Sequence, residues 1–334
     1  MNILAFETSC DETSVALVQD GRKLLSNVVS SQIKAHREFG GVVPELASRM
    51  HTEIIHKLIR IALEKAGLIF KQVDACAITY GPGLEGALLI GLVAAKTTAR
   101  LLNIPLIGVN HLHGHIYAHF LTDDPPPFPF VTLVVSGGHT LLVLVKAHFE
   151  FELLGTTRDD AAGEAFDKVA RFMGLGYPGG PQVELQAREG DASLHKFPKG
   201  MLKIGFEFSF SGLKTAVIQS TQKIAKQGTE IPVADICAGF QKSVIDTLIY
   251  KSLKACKQYS VPHLVLSGGV TANQALRSEF ETACAEANVR LYVPPFDLCT
   301  DNAAMIGAAA YFDYMRSPHS DTDLSVKPNL PICN

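Results

Sequence analysis

Three histidines, His111, His115 and His119, recur at intervals of four in the segment HLHGHIYAHF. On a helix, residues four apart share a face about 6 Å apart along the axis, so His111 with His115, or His115 with His119, can hold one ion. Spacing alone does not choose between the pairs, and it turns His113 to the other side. Leu112 follows His111, so the HExxH pattern that supplies a zinc protease with its general base is absent. A third ligand must come from elsewhere, and Asp301, at the start of the last predicted helix, is the candidate.

Two glycine turns offer a second kind of chemistry. Ser136-Gly137-Gly138-His139-Thr140 and Ser267-Gly268-Gly269 each follow an apolar strand, and neither has the GxGxxG or GxxxxGK[ST] spacing. Their N–H groups can converge on an anion, with Ser136 and Thr140 adding hydroxyl donors, although an ordinary glycine hairpin accounts for the first turn equally well. The second leads into a helix opened by Thr271, Ala272 and Asn273, where a nucleotide can meet a helix N-terminus. Asn273 either contacts that nucleotide through its amide or caps the helix. In TTRDDAAGEAFDKVARF, Glu164 and Asp167 share a helical face and can meet a hydroxyl, a metal or an ammonium group. Asp159 and Asp160 read as solvated carboxylates that complement the helix dipole.

The elements that must position these groups follow from periodicity. Asn2 to Val18 reads as two strands around the polar turn ETSCDETS, Glu45 to Lys65 as an amphipathic helix, and Val73 to Thr79 as a buried strand. GPGLEG opens a helix to about Leu102, and Ile104 to Val109 is again a strand. DDPPPFPF, Asp123 to Phe130, breaks the pattern, since consecutive prolines cannot continue a helix. Beyond it, residues 131–145 repeat the strand, turn, strand opening; helices and loops follow, then a strand–turn–helix, HLVLSGGVTANQALR, and a strand near Val289 to Val293. The repeat predicts an α/β chain of two duplicated lobes, residues 1–122 with 296–334 and residues 123–295, with a cleft between them.

Composition narrows the class. The chain has 334 residues, 47% hydrophobic and 19% charged against roughly 25% charge in an average protein, which excludes a disordered chain and a coiled coil. No apolar run approaches the roughly 20 residues that span a bilayer, and the acidic start carries no basic leader, so a cytoplasmic protein without membrane partners is expected. Seven dispersed cysteines with no CxxC argue against a disulfide framework or a thiolate zinc site. With a net charge of −3, any nucleic-acid site has to be a local basic patch.

Taken together, ETSCDETS (7–14), GGVVPELASR (40–49), GPGLEGALLIG (81–91), HLHGH (111–115), VSGGHT (135–140), DDAAGEAFDKVA (159–170), YPGGP (177–181), FSFSGLKTAV (208–217), SGGVTANQALR (267–277) and CTDNAAMIG (299–307) resemble the bacterial TsaD family, the tRNA N6-adenosine threonylcarbamoyltransferases once labelled glycoproteases. The likeness runs in order through essentially the whole chain. It implies the actin-like, Hsp70-like ATPase fold with RNase H-like lobes. It implies one divalent metal, Fe2+ or Zn2+, on His111, His115 and Asp301, and Mg2+ accompanying bound nucleotide. Val134, Val135, Ser136, Gly137 and Gly138 match the loop at the substrate phosphate and carbamoyl region; Asp167, Gly180, Glu184 and Asn273 match further substrate contacts. This chain departs from the family in carrying His113 where Glu is usual and Glu184 where Asp is usual, the first bearing on metal preference.

The implied reaction moves threonylcarbamoyl from threonylcarbamoyl-adenylate to N6 of adenine 37 in the anticodon loop of tRNAs reading codons that start with A, releasing AMP. Implied partners are tRNA, a related actin-like-fold subunit of the TsaB type and a P-loop ATPase of the TsaE type. Candidate tRNA contacts are Lys34, His36, Arg37 and Arg49 in the first lobe and Lys196, Lys199, Lys203 and Lys214 in the second. The competing readings are an ATP-dependent kinase or ATPase of the same fold, which has no need of the His-His-Asp set, and a non-catalytic scaffold subunit.

Overall fold

A computed structural model describes residues 1–333, which divide into two compact units. Unit one comprises Met1–Pro126, the turn His148–Glu150 and the chain from Pro294 onward; unit two comprises Pro127–Ala147 and Phe151–Val293.

In unit one, β1 (Asn2–Glu7) and β2 (Glu12–Gln19) form the predicted antiparallel hairpin, paired from Asn2↔Gln19 to Glu7↔Ser14. A third strand, β3 (Lys23–Ser31), extends it; half-exposed along its length, it carries no clean alternation and escapes a periodicity reading. A one-turn helix, α1 (Ile33–His36), precedes α2 (Pro44–Ala66), which begins with proline at its first turn and ends at left-handed Gly67. Its buried residues Ala47, His51, Ile55, Leu58 and Ala62 recur at helical spacing on the face turned to β2 and β3. Next come β4 (Ala75–Gly81), α3 (Glu85–Leu102) and β5 (Leu106–Asn110), with β4 parallel to both β1 and β5. The sheet order is β3-β2-β1-β4-β5. Helix α4 (His111–Tyr117) starts directly off β5, capped by the Asn110 side chain, whose Oδ1 accepts from the Leu112 N–H at 2.9 Å.

Unit two repeats the plan. β6 (Phe130–Val135), β7 (Thr140–Ala147) and β8 (Glu150–Thr156) precede α5 (Ala162–Phe172), α6 (Gly179–Ala187), α7 (Ser211–Lys226) and α8 (Val233–Tyr259). β9 (His263–Ser267), α9 (Gln274–Glu286) and β10 (Arg290–Tyr292) complete it, in the order β10-β9-β6-β7-β8. Strand β8 replaces the helix-and-loop alternation expected after residue 145; as a partly exposed edge strand it has no alternating signature. Both sheets therefore share one order, hairpin plus third strand on one side and two strands on the other. Each unit has its own core, around Phe6, Leu17 and Ile78 in the first and Phe166, Phe240 and Leu266 in the second.

The chain returns to unit one through α10 (Phe296–Cys299) and α11 (Ala303–Arg316). Helix α11 starts after Asp301, because Asn302 is the cap: its Oδ1 accepts from the Met305 N–H at 3.1 Å, leaving Asp301 in the loop before it. Helices α4 and α11 touch at Gly114, where a Cβ would lie 2.6 Å from Ile306 Cδ1. We expect Gly114→Val to push the helices apart, costing roughly 1–3 kcal/mol and weakening metal binding. Equal chemical-denaturation midpoints and equal Zn2+ affinity in the variant would refute that close approach. No helix among the described residues is long and apolar enough to cross a membrane.

Candidate functional site

Unit one gathers His111, His115 and Asp301. One ligand atom from each lies within 4.8 Å of the others. Asp301 Oδ1 is 3.5 Å from His111 Nε2 and 3.2 Å from His115 Nε2. Donors about 2.1 Å from a shared tetrahedral ion stand roughly 3.4 Å apart, so these separations suit one. Both histidines are buried, and neither ring nitrogen of His115 makes a hydrogen bond. An imidazole so placed is costly unless something else binds it, and a metal ion is such a partner. Two imidazoles and one carboxylate suit iron or zinc.

Helix α4 supplies both histidines from one face, as their spacing predicts, and the alternative pair does not form. His119 lies beyond α4 in a tight 3-10 turn, buried and outside the metal-ligating group. His113 faces away. Its Nε2–H donates to the Ile332 carbonyl at 2.8 Å, its ring packs edge-on against Phe149, and burial lowers its pKa to about 4. Its place in the metal motif therefore bears on the C-terminal segment rather than on the ion.

Glu7, which the sequence reading passed over, orients the site. Fully buried at the end of β1, its Oε2 lies 3.1 Å from His111 Nδ1 and accepts the Thr79 hydroxyl, while Oε1 accepts the Ser9 N–H at 2.6 Å. A carboxylate on Nδ1–H leaves the Nε2 lone pair for the ion. Burial by itself raises a carboxyl, but His111 outweighs it and holds Glu7 below its ordinary value. For His111, burial is likewise overcome, here by Asp301 and Glu7, and its pKa rises to about 9. Burial, followed by the nearby Asp11 and Asp301 charges, pushes Glu12 up to about 10. Carboxylates crowded in this way favour a cation among them. The only signal for Glu7 was its place in ETSCDETS.

In unit two, the residues matched to substrate contacts adjoin one another at the C-terminal ends of β6 and β9. Ser136 and His139 close the first glycine turn, the Ser136 N–H donating to the His139 carbonyl at 2.9 Å. The Ser136 carbonyl accepts from the Gly163 N–H at the start of α5. Asp167 on α5 accepts from the Gly179 N–H at 2.7 Å, and Glu184 on α6 accepts from the Gln274 N–H at 3.0 Å, beside Asn273. Gly268, at φ +93, closes the ring: a Cβ there would lie 2.5 Å from the Val135 carbonyl, so the two glycine turns adjoin. A Cβ on Gly137, Gly138, Gly180 or Gly269 would meet no protein atom within 4 Å, so space lies open above these backbones.

Several expectations change. Val134 and Val135 are buried ladder residues of β6 rather than loop residues. Thr140 is buried, and its hydroxyl accepts the Ala162 N–H at 2.9 Å instead of facing the turn's open side. Of the two roles expected of Asn273, the cap is present on α9, with Oδ1 accepting the Leu276 N–H at 2.8 Å and Nδ2 donating to Gln241. Asp160 is not solvated but buried between Lys168 and Lys214, 2.7 Å from each, whereas Asp159 stays exposed and complements the N-terminus of α7 rather than of α5, accepting from Ser209, Phe210 and Ser211. Glu164 pairs with Lys168 and accepts the Ala161 N–H. Of the cations expected to face RNA, His36 is fully buried, Lys214 is held by Asp160 and Lys199 by Asp246. Lys34, Arg37, Arg49, Lys196 and Lys203 are exposed.

Residues 23–308 match the family described as TsaD, tRNA N6-adenosine threonylcarbamoyltransferase. Proteins of that name are 51% identical over 330 residues in Dictyoglomus turgidum, covering 99% of this chain and 98% of that one, and 53% identical in Symbiobacterium thermophilum, covering 99% and 96%. Among solved structures, T. kodakarensis HypF overlays with a TM-score of 0.63 at 15% identity, covering 97% of this chain and 49% of that one. Component A of (R)-2-hydroxyglutaryl-CoA dehydratase from Acidaminococcus fermentans gives 0.54 at 14%, covering 94% and 99%. At such identities the likeness concerns the fold alone, the two-lobed actin-like ATPase fold.

Proposed function

The chain belongs to the TsaD family of tRNA N6-adenosine threonylcarbamoyltransferases, and from that premise we propose that it moves threonylcarbamoyl from threonylcarbamoyl-adenylate to N6 of adenine 37 in the anticodon loop of tRNAs reading codons that start with A. The observation that carries this reading is the His111, His115 and Asp301 set with Glu7 behind it, which a kinase or a scaffold of the same fold does not need. One divalent ion, Fe2+ or Zn2+, supplies Lewis-acid polarisation there when bound.

The rest falls to the chain itself. Gly137 and Gly138, whose backbones are open, present N–H groups to the adenylate phosphate, with Mg2+ accompanying it. Val134, Val135 and Ser136 hold that turn on β6; Asp167, Gly180, Glu184 and Asn273 border the nucleotide. N6 attacks the carbamoyl carbon, the bond from that carbon to the phosphate oxygen breaks, AMP leaves with the electron pair, and the N6 proton passes to solvent. Because the target base sits in a single-stranded loop, splaying it out costs little stacking and pairing energy. A TsaB-type subunit and a TsaE-type ATPase are the proposed partners; Leu89 and Val93, exposed on one face of α3, offer an apolar surface to such a partner.

The test is transfer of labelled threonylcarbamoyl to anticodon-loop tRNA by the purified chain, with and without those partners; no label on adenine 37 under any of these conditions defeats the reading. Asn273→Asp sharpens the nucleotide side. Asp caps as well as Asn, but it loses the amide that donates to Gln241 and adds a negative charge beside the adenylate, so adenylate affinity should fall by roughly 1–3 kcal/mol. Unchanged affinity in the folded variant would mean that Asn273 only caps α9.

A further inference from the structure

We propose that His51 is a positioning residue for the transfer reaction: with Gln32 and His36 it forms a buried hydrogen-bond relay that ties the Ser9–Asp11 turn, beside the metal-ligating residues, to the loop from Arg37 to Val43. The catalytic consequence rests on the transferase reading; the relay does not.

The relay has one direction. The Val43 N–H can only donate, and it meets His36 Nδ1 at 3.3 Å, so neutral His36 carries its proton on Nε2. That nitrogen lies 3.1 Å from Gln32 Oε1. The Gln32 amide then donates to the Ala47 carbonyl and to His51 Nδ1, both at 3.3 Å, and the Thr13 hydroxyl reaches the same Nδ1 at 2.7 Å. With Nδ1 accepting, His51 is protonated on Nε2, which lies 2.9 Å from the Cys10 carbonyl, an acceptor only. A donor-only group at one end and an acceptor-only group at the other fix both tautomers. His36 and His51 are fully buried and Gln32 nearly so, and burial holds His51 below its ordinary pKa, in keeping with a neutral ring.

Each end bears on function. Cys10 follows Ser9, whose hydroxyl lies 3.2 Å from His111 Nδ1 and whose N–H donates to Glu7. Gln32 also donates its own N–H to the Asp11 carbonyl at 2.9 Å. At the other end, the loop from Arg37 to Val43 opens with three exposed residues, Arg37, Glu38 and Phe39. A position on the buried face of α2, between Ala47 and Ile55, suits leucine by periodicity; the histidine there satisfies both of its ring nitrogens by hydrogen bonds on its two sides.

The experiment compares His51→Leu and His51→Gln in the full chain, with Thr13→Val as a milder variant should His51→Leu unfold. Glutamine keeps a donor for the Cys10 carbonyl; leucine does not. Zn2+ affinity by chelator competition and the rate of tryptic cleavage after Arg37 are measured beside kcat and KM for tRNA. In His51→Leu, Zn2+ affinity and kcat should each fall by about threefold, below the roughly tenfold lower end for a group bonded directly to a metal ligand because His51 acts through the Cys10 carbonyl, with KM nearly constant and cleavage faster. His51→Gln should recover most of both. Unchanged Zn2+ affinity and cleavage in folded His51→Leu or Thr13→Val, or glutamine no better than leucine, would overturn the relay. If the variants show these Zn2+ and cleavage shifts while the wild-type chain transfers nothing with or without the partner proteins, the transferase reading alone is overturned.

Discussion

Replacing His115 with alanine is expected to remove bound metal and abolish transfer while the fold survives. Its ring nitrogens make no hydrogen bond, and the one polar group that loses a neighbour, Asp301 at 3.2 Å, is partly exposed, so the main cost to stability is that of a small cavity. The ion, by contrast, loses one of three protein ligands. Affinity for Zn2+ should drop by more than about 100-fold, beyond the effect of losing a mere supporting contact, and transfer should fall below about 1%. His111→Ala and Asp301→Ala should act alike. His119→Ala discriminates between the equally spaced pairs: metal and transfer persist, although its burial makes the substitution cost roughly 1–3 kcal/mol of stability. Full metal occupancy in the His111→Ala, His115→Ala double variant would sink this assignment.

The second large effect is expected from Glu7→Gln. The amide nearly preserves shape and still accepts at one atom, but removes the charge that fixes the His111 Nδ1 proton. Metal affinity and transfer should fall about 10–100-fold. The metal-free protein provides an independent check, because Glu7 is one of the two carboxylates that raise His111 to about 9. Without it, the His111 titration followed by NMR should move down. The sign also predicts opposite pH trends. The raised pKa stabilises the metal-free fold fully below the ordinary imidazole value of 6.5, a contribution lost as pH rises through about 9. Metal binding needs the same proton gone, so Zn2+ affinity should increase over that interval. A Glu7→Gln protein with wild-type Zn2+ affinity and an unmoved His111 titration would show that the carboxylate is only a buried neighbour.

Much of this architecture is legible in the chain. The first hairpin, α2, α3 and the strand–turn–helix around Ser267 have strong periodicity or clear breakers, and local patterns of this kind decide local conformation. Strands β3 and β8 escaped because half-exposed edge strands need not alternate. The partners of Asp159 and Asp160 were missed for a related reason: the start of α7 and Lys214 lie about fifty residues on, beyond any helical register.

For the site, sequence alone determined that His111 and His115 share a face and that His113 does not, because helical geometry follows from spacing over a single turn. It also determined where glycine turns leave strands. Which histidine pair can share an ion with a carboxylate was decided only when α11 packed on α4 at Gly114 and brought Asp301 to Nε2 of both rings. Glu7 became the orienting group only when β1 was laid down within reach of β5's end, 104 residues from His111 in sequence. The reason is physical: spacing constrains neighbours within a turn or a hairpin, whereas a ligand set assembled from β1, α4 and the loop before α11 exists only once a shared core has fixed those elements against one another.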